Sequence, residues 1–135
     1  MKAIRTFVIL VTLVLLTVSC MALDAKLVPA LIQVESSGRD NAVGDGGRAL
    51  GPLQVSASVV EDVNRIYRTS YTLKEMFDRK KATDVCQKYL AFYGSERFLG
   101  RPPTTEDYAR IWNGGPAGWK RKATQKYWAK VRRQL

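Results

Sequence analysis

The sequence predicts a mainly α-helical (α+β) domain with about six helices and a small β-hairpin lobe. Three observations support this fold class. Apolar residues recur at helical spacing in most segments after residue 24. A Ser or Thr followed three residues later by an acidic residue, which is typical of a helix start, precedes three of these segments. The glycine-rich segment 38–55 lacks helical periodicity, and its Asp45-Gly46 pair is typical of a hairpin turn.

Residues 1–22 are predicted to be a secretory signal that is not part of the domain. Lys2 and Arg5 make its start positive, and the uncharged apolar run 7–18 has about the length of a signal core. That run is short for a membrane span. Two alternatives remain open: Cys20 as a lipid-attachment cysteine, or an uncleaved anchor. The folded domain is therefore predicted at residues 23–135, secreted or in the periplasm or cell envelope and, with Cys20 lipidated, attached to a membrane.

Charge and cysteine content restrict the possible functions. The chain has 22 Lys and Arg, 12 Asp and Glu and no His, which gives a net charge of +10. Without His, a His-based catalytic triad or zinc site is excluded, and we predict no metal and no cofactor. Cys86 is expected to be a core residue and no disulfide is expected, so packing must supply the stability. The basic residues of 119–135 either form a solvated helix face or bind polyanions such as cell-wall polymers.

The first helix, predicted over 25–36, ends in a carboxylate. Asp24 is its expected N-cap, and Gly38 is its expected stop. Four residues share one face at i, i+3, i+4 and i+7: Val28, Leu31, Ile32 and Glu35. On a buried face, desolvation raises the pKa of a carboxyl group, as a general acid requires. The alternative is that Glu35 only caps or salt-bridges the helix end.

The later helices are predicted from capping residues at their starts and from apolar residues at helical spacing. Three pairs mark helix starts: Ser58 with Glu61, Thr72 with Glu75, and Thr104 with Asp107. A long stripe that Gly94 ends predicts the main core helix: Ala82, Val85, Cys86, Tyr89, Leu90 and Tyr93. Residues 94–103 are predicted to be a loop, residues 113–116 to break the helix that follows it, and Thr124 to cap the last helix.

Residues 108–116 combine aromatic rings, an amide and paired glycines at a helix end, including Tyr108, Trp112, Asn113 and Gly114. In an open groove this combination suits a sugar, because rings stack on its apolar faces and amides bond its hydroxyl groups. The alternative is an ordinary helix end with core aromatic residues.

Three separated motifs resemble the lysozyme superfamily. Glu35-Ser36 resembles the catalytic Glu-Ser of lytic transglycosylases and goose-type lysozymes, and residues 49–55 resemble their Ala-x-Gly-Leu-Met-Gln-Ile element. Residues 111–115 lie where their Ala-Tyr-Asn-x-Gly element would be. Residues 108–118 and 127–131 are similar to the Ala-Arg-Ile-His-Asn-Gly-Gly-Pro-x-Gly and Tyr-Trp-x-Lys-Val elements of invertebrate-type (destabilase) lysozymes. The resemblance covers about residues 25–133. Those lysozymes are rich in disulfides and have His where this chain has Trp112.

The resemblance implies a lysozyme-like fold with an active-site groove between a helical and a β-lobe. It implies an exported monomeric muramidase that cleaves the bond between N-acetylmuramic acid and N-acetylglucosamine in peptidoglycan, with Glu35 as the general acid. Gln54 and Asn113 would bond the sugar near the cleavage site, Ser36 would bond an N-acetyl group, and Tyr108 would line the groove. Trp112 and Gly114 complete the predicted substrate-binding set.

The motifs match less closely at the second carboxylate. Asp45 is the candidate that the resemblance implies, about one residue out of register, with Asp40 as the reserve. Two carboxylates would allow hydrolysis. With Glu35 alone, attack by the sugar's own hydroxyl would leave a 1,6-anhydro end, as in lytic transglycosylases. The alternative for Asp45 is a turn residue.

Two non-enzymatic functions compete. One is a cationic wall- or membrane-binding antimicrobial protein. The other is a nucleic-acid module, against which stand the export signal and the lack of a recognised reading motif, so no nucleic-acid partner is predicted.

Overall fold

The structure is a computed structural model that describes residues 23–135. The predicted signal segment and Cys20 lie outside the described residues. Residues 23–135 form six α-helices and one two-stranded antiparallel sheet, in this order: α1 (Leu27–Ser36), β1 (Val43–Gly44), β2 (Ala49–Leu50), α2 (Ala57–Tyr67), α3 (Arg79–Tyr93), α4 (Glu96–Leu99), α5 (Thr105–Gly114) and α6 (Gln125–Arg132). Over that range, no helix is both long and apolar enough to cross a membrane.

Helix α1 is the central helix of the core and packs against α3, α5 and α6. Leu27 and Leu31 are fully buried, and Val28 and Ile32 are nearly so, which confirms the predicted apolar face. Burial of one such side chain stabilises the fold by about 1.5–3 kcal/mol. Because three helices enclose α1, the last residues of its buried face are held on a rigid element.

The ends of α1 differ slightly from the prediction. The helix begins at Leu27, so Asp24 is not its N-cap; the Asp24 carboxylate instead accepts a hydrogen bond from the backbone N–H of Lys26 at 2.9 Å. At the other end, Ser37 adopts the left-handed conformation with φ 53°, one residue before the predicted stop at Gly38. Asp24 thus orders the turn that leads into the helix.

The predicted hairpin is confirmed. Strands β1 and β2 pair with Val43 opposite Leu50 and Gly44 opposite Ala49, and a 3₁₀ turn over Asp45–Gly47 joins them. A bridge between Leu50 and Val55 folds the following segment back against β2. The hairpin and residues 51–55 therefore form one small β-unit.

Of the four predicted caps after α1, two are confirmed and two are wrong. Thr72 and Thr104 both form complete capping boxes, although Thr72 opens a 3₁₀ turn over Leu73–Phe77 rather than an α-helix. Helix α2 begins at Ala57 after Ser56, so Ser58 lies inside it. Thr124 precedes α6, but its hydroxyl group does not cap the helix because it accepts a hydrogen bond from Arg110 at 2.9 Å and lies 2.7–2.8 Å from two backbone carbonyl oxygens.

Two element boundaries also differ from the sequence prediction. The short helix α4, Glu96–Leu99, lies inside the segment 94–103 that was predicted to be a loop. Helix α5 continues through Gly114 instead of breaking at Asn113, and Gly115, with φ 82°, ends it. Asn113 and Gly114 are therefore helical residues.

The start of α5 carries a buried charge network. The Asp107 side chain is 4% exposed, and it accepts hydrogen bonds from both terminal nitrogens of Arg101 at 2.6 and 2.9 Å. It also accepts from the backbone N–H and the hydroxyl group of Thr104. Burial alone would raise the pKa of Asp107, but these donors stabilise the carboxylate and hold its pKa below the usual range.

We expect Asp107→Asn to lower the free energy of unfolding by about 2–3 kcal/mol, because hydrogen bonds to a buried charged group are lost. Glu75→Gln is the matched control, since Glu75 completes the other capping box and pairs with Lys81 at the surface; its loss should be much smaller. Urea denaturation measures both. A depressed pKa stabilises the fold above the unfolded-state value, about 3.9, so the cost of Asp107→Asn should shrink as the pH falls below it. A difference that stays constant down to pH 2 would contradict this account.

Candidate active site

Glu35 lies in the last turn of α1 and is partly buried. The hydroxyl group of Tyr127, on α6, donates a hydrogen bond to Glu35 Oε1 at 2.7 Å. Burial raises the pKa of Glu35, and the Tyr127 hydrogen bond and the positive charge of Lys130 lower it less than burial raises it. The result is a carboxyl group that keeps its proton to a higher pH than an exposed glutamate.

Helix α3 places Cys86 close enough to Glu35 for the charge of the carboxylate to act on its thiol. Cys86 is fully buried, as predicted for a core residue. Burial and the nearby charge of Glu35 raise the pKa of its thiol, so Cys86 stays protonated and acts as an apolar neighbour. The carboxyl group of Glu35 is thus influenced both by burial in the core and by the cation Lys130 of α6.

Gln54 holds the β-unit together. Its amide nitrogen donates to the carbonyl oxygens of Ala42 and Gly51, at 3.2 and 2.9 Å. Its amide oxygen lies so close to Gly44 that a methyl group there would overlap it. Gln54 itself adopts a left-handed conformation, with φ 51°. The residue predicted to bond a sugar therefore also fixes the base of the hairpin.

The two candidate second carboxylates are exposed and paired with arginines. Asp45 lies in the hairpin turn, where its Oδ1 is 2.9 Å from Arg48. Asp40 is 2.7 Å from Arg79 at the start of α3. Across residues 23–135, no hydrogen bond or ion pair joins either of them to Glu35. The structure thus places Asp45 in a turn, as the alternative interpretation described.

The predicted substrate-binding residues of α5 differ in exposure. Asn113 is exposed, and Trp112 is partly buried with its ring edge-on to Tyr89 at 5.9 Å. Tyr108 is buried, with its ring against Gly94, where a side chain would overlap it. Gly114 lies against Thr124 in the same way. The end of α5 therefore has an exposed amide and a partly buried indole, while Tyr108 and Gly114 pack against Gly94 and Thr124.

Ser36 is buried, and its hydroxyl group donates to the carbonyl oxygen of Ile32 at 3.1 Å, four residues earlier on the same helix. That bond uses its hydrogen and leaves its oxygen as an acceptor. The predicted contact with an N-acetyl group stays a prediction.

Sequence reasoning did not assign Tyr127 and Lys130 to the site. Helical spacing puts Tyr127 on the same side of the last helix as Val131, which is correct for its ring but does not show where its hydroxyl group points. Both residues belong to the Tyr-Trp-x-Lys-Val motif at 127–131, which was the available signal. The hydrogen bond of Tyr127 to Glu35 joins residues 92 positions apart and depends on the packing of α6 on α1.

Comparison with known proteins shows similarity to lysozymes, although no family model matches the chain. A lysozyme from Magallana gigas is 51% identical over 42 residues, which cover 29% of this chain and 31% of that protein. The chain thus matches about a third of that relative's length. In a crystal structure of Aeromonas hydrophila PliI in complex with Meretrix lusoria lysozyme, a chain superposes with a TM-score of 0.69 at 25% identity, covering 82% of this chain and 89% of that one. Tapes japonica lysozyme superposes with a TM-score of 0.68 at 23% identity over the same shares.

These comparisons confirm the predicted fold class and the resemblance to invertebrate lysozymes. The chain has a lysozyme-like fold over most of its length and is similar in sequence to a lysozyme over one segment.

Proposed function

We propose that this chain is an exported peptidoglycan glycosidase, a muramidase, with Glu35 as its general acid. One observation carries the proposal. Among the described carboxyl groups whose pKa is shifted, that of Glu35 is raised, whereas those of Glu75, Asp84 and Asp107 are lowered. A raised pKa at the end of a rigid helix is what a group needs to donate a proton near neutral pH. The similarity to proteins named lysozymes supports the same assignment.

In the proposed reaction, the protonated Glu35 gives its proton to the oxygen of the glycosidic bond as the bond from that oxygen to the muramic acid carbon breaks. Glu35 is left as a carboxylate. Tyr127 and Lys130 stabilise this negative charge, because the first donates a hydrogen bond and the second is a cation. The net charge of +10 favours approach to an anionic wall.

The substrate contacts are proposed on the same basis. Asn113 and the amide oxygen of Gln54 would bond sugar hydroxyl groups, Trp112 would stack on a sugar face, and Ser36 would contact an N-acetyl group. Tyr108 and Gly114 would shape the wall of the groove. The monomeric state stays a prediction, and lipid attachment at Cys20 stays an alternative to a cleaved signal.

Hydrolysis requires an activated water or a nucleophile, and Asp45 is the proposed second carboxylate. We expect Asp45→Asn to slow the release of reducing ends by about tenfold or more. Asp40→Asn is the matched control, since Asp40 is also an exposed aspartate paired with an arginine. Reducing-sugar assays on purified peptidoglycan measure both. If the Asp40 variant alone loses activity, the second carboxylate is Asp40, and if neither does, hydrolysis through a second carboxylate is wrong.

A lytic transglycosylase is the second candidate, and the arginine pairing of both aspartates favours it. Mass spectrometry of muropeptides from a digested wall separates the two reactions. The muramidase proposal predicts reducing N-acetylmuramic acid ends. Mainly 1,6-anhydro ends would replace it with the transglycosylase, and an undigested wall would contradict both.

A further inference from the structure

We propose that Tyr127 is a positioning residue, which fixes the Glu35 carboxyl group so that its acidic proton lies on Oε2. The inference rests on the proposed function, because the positioned group is the proposed general acid. Tyr127 is 9% exposed, and its hydroxyl group donates to Oε1 at 2.7 Å. Because its ring is packed between helices, the hydroxyl group has little freedom to follow a rotating carboxyl group.

The hydrogen bond makes the two oxygens of Glu35 different. Oε1 accepts from Tyr127, whereas Oε2 accepts no hydrogen bond from any residue in 23–135. When Tyr127 donates to Oε1, the proton of the neutral acid occupies Oε2. In the reaction that proton goes to the glycosidic oxygen, and the electron pair of its O–H bond remains on Oε2. The Tyr127 bond shortens as Oε1 becomes part of a carboxylate, since charge-assisted hydrogen bonds are the stronger ones.

The charged and titratable groups around Glu35 come from three helices. From α6 come Tyr127 and Lys130, three residues apart and hence on adjacent turns. From α3 comes the neutral thiol of Cys86. On α5, Glu106 pairs with Arg110 and Asp107 pairs with Arg101. The ring of Tyr108, also on α5, lies against Gly94.

Tyr127 and Lys130 therefore have separable effects. Tyr127→Phe removes both the hydrogen bond and the orientation, while Lys130→Met removes only a charge. Both changes should raise the pKa of Glu35 and move the alkaline limb of the kcat profile to higher pH, because the acid stays protonated longer. Tyr127→Phe should in addition lower the plateau kcat by about tenfold, since the proton is no longer directed. Lys130→Met should lower the plateau much less.

The experiment combines pH profiles of peptidoglycan cleavage with a ¹³C NMR titration of the Glu35 carboxyl group, on the full chain. Tyr67→Phe is the control, because the hydroxyl group of Tyr67 donates to the backbone carbonyl of Lys88 at 2.8 Å and not to Glu35. Neither the pH profile nor the Glu35 titration should change in this variant. Active Tyr127→Phe with an unchanged Glu35 pKa and unchanged kcat overturns the inference and leaves the proposed function intact.

Two further outcomes also decide the inference. If the wild type cleaves no peptidoglycan, the catalytic role of Tyr127 fails together with the proposed function. If Tyr127→Phe does not fold, the hydroxyl proton of Tyr127 in the wild type provides the test: its NMR signal should shift as Glu35 titrates. A signal that is insensitive to pH in that range overturns the inference.

Discussion

Glu35→Gln is expected to lower peptidoglycan cleavage by on the order of 10³-fold, the largest effect predicted for any single change in this chain. Glutamine has the same shape, and its amide oxygen can still accept the hydrogen bond of Tyr127, so the geometry of the site is kept. What is lost is the transferable proton. Cleavage by the wild type should itself fall as the pH rises through the raised pKa of Glu35, because only the protonated acid can donate.

Three measurements distinguish loss of chemistry from loss of fold. Glu35→Gln should be at least as stable as the wild type at neutral pH, because a raised carboxyl pKa stabilises the fold only while the group is protonated, and this contribution is lost as the pH rises through it. Glu61→Gln, which removes an exposed glutamate on α2, should leave cleavage unchanged. Sedimentation with insoluble wall should show that both variants still bind. Full wall lysis and bacterial killing by Glu35→Gln would contradict an acid role and favour the cationic wall-binding protein.

Local signals in the sequence predicted the central helix and the position of its carboxylate. Helical spacing is a property of neighbouring residues, so Val28, Leu31 and Ile32 indicated the buried face on which Glu35 lies. The hairpin was predicted on the same local basis, because a turn needs specific residues only at its own positions.

The wrong predictions share one cause, which is that tertiary packing decides between locally equivalent choices. Ser56 and Ser58 are both suitable residue types for a helix start, and α2 begins directly after the earlier one. Thr124 was a suitable cap by residue type, but Arg110 and backbone carbonyls use its hydroxyl group. The contact of Tyr127 with Glu35 could not be predicted either, since no local rule connects residues 92 positions apart.

The features of the site likewise divide into those that local sequence predicts and those that depend on tertiary packing. The role of Glu35 as acid is suggested by its helix face, which local spacing predicts. The orientation of its carboxyl group depends on α6, and the shape of the β-unit depends on the contact between β2 and the turn Leu73–Phe77. At that contact Gly51 lies against the backbone of Met76, and its carbonyl oxygen accepts a hydrogen bond from Gln54.

Gly51→Ala is expected to be the most destabilising small substitution, with a loss of about 3–4 kcal/mol in the free energy of unfolding. Gly51 has φ +79°, where an L-residue costs about 1–2 kcal/mol. A methyl group there would also overlap the backbone carbonyl of Met76. Met76 is fully buried, and its backbone cannot move away as the end of a flexible side chain would. Relieving such a clash adds about 1–3 kcal/mol.

Gly100→Ala is the matched control for this change. Gly100 has φ +74°, but no atom lies within 4 Å of the methyl group that would be added, so only the conformational cost applies. Urea denaturation should therefore show a smaller loss for Gly100→Ala, and equal losses would mean that the Met76 contact contributes nothing. Because the carbonyl of Gly51 also accepts the amide of Gln54, a shift of Gly51 displaces the proposed sugar-binding residue. Cleavage under conditions where both variants are folded should then fall in Gly51→Ala and not in Gly100→Ala, which connects the stability of the β-unit to the proposed activity.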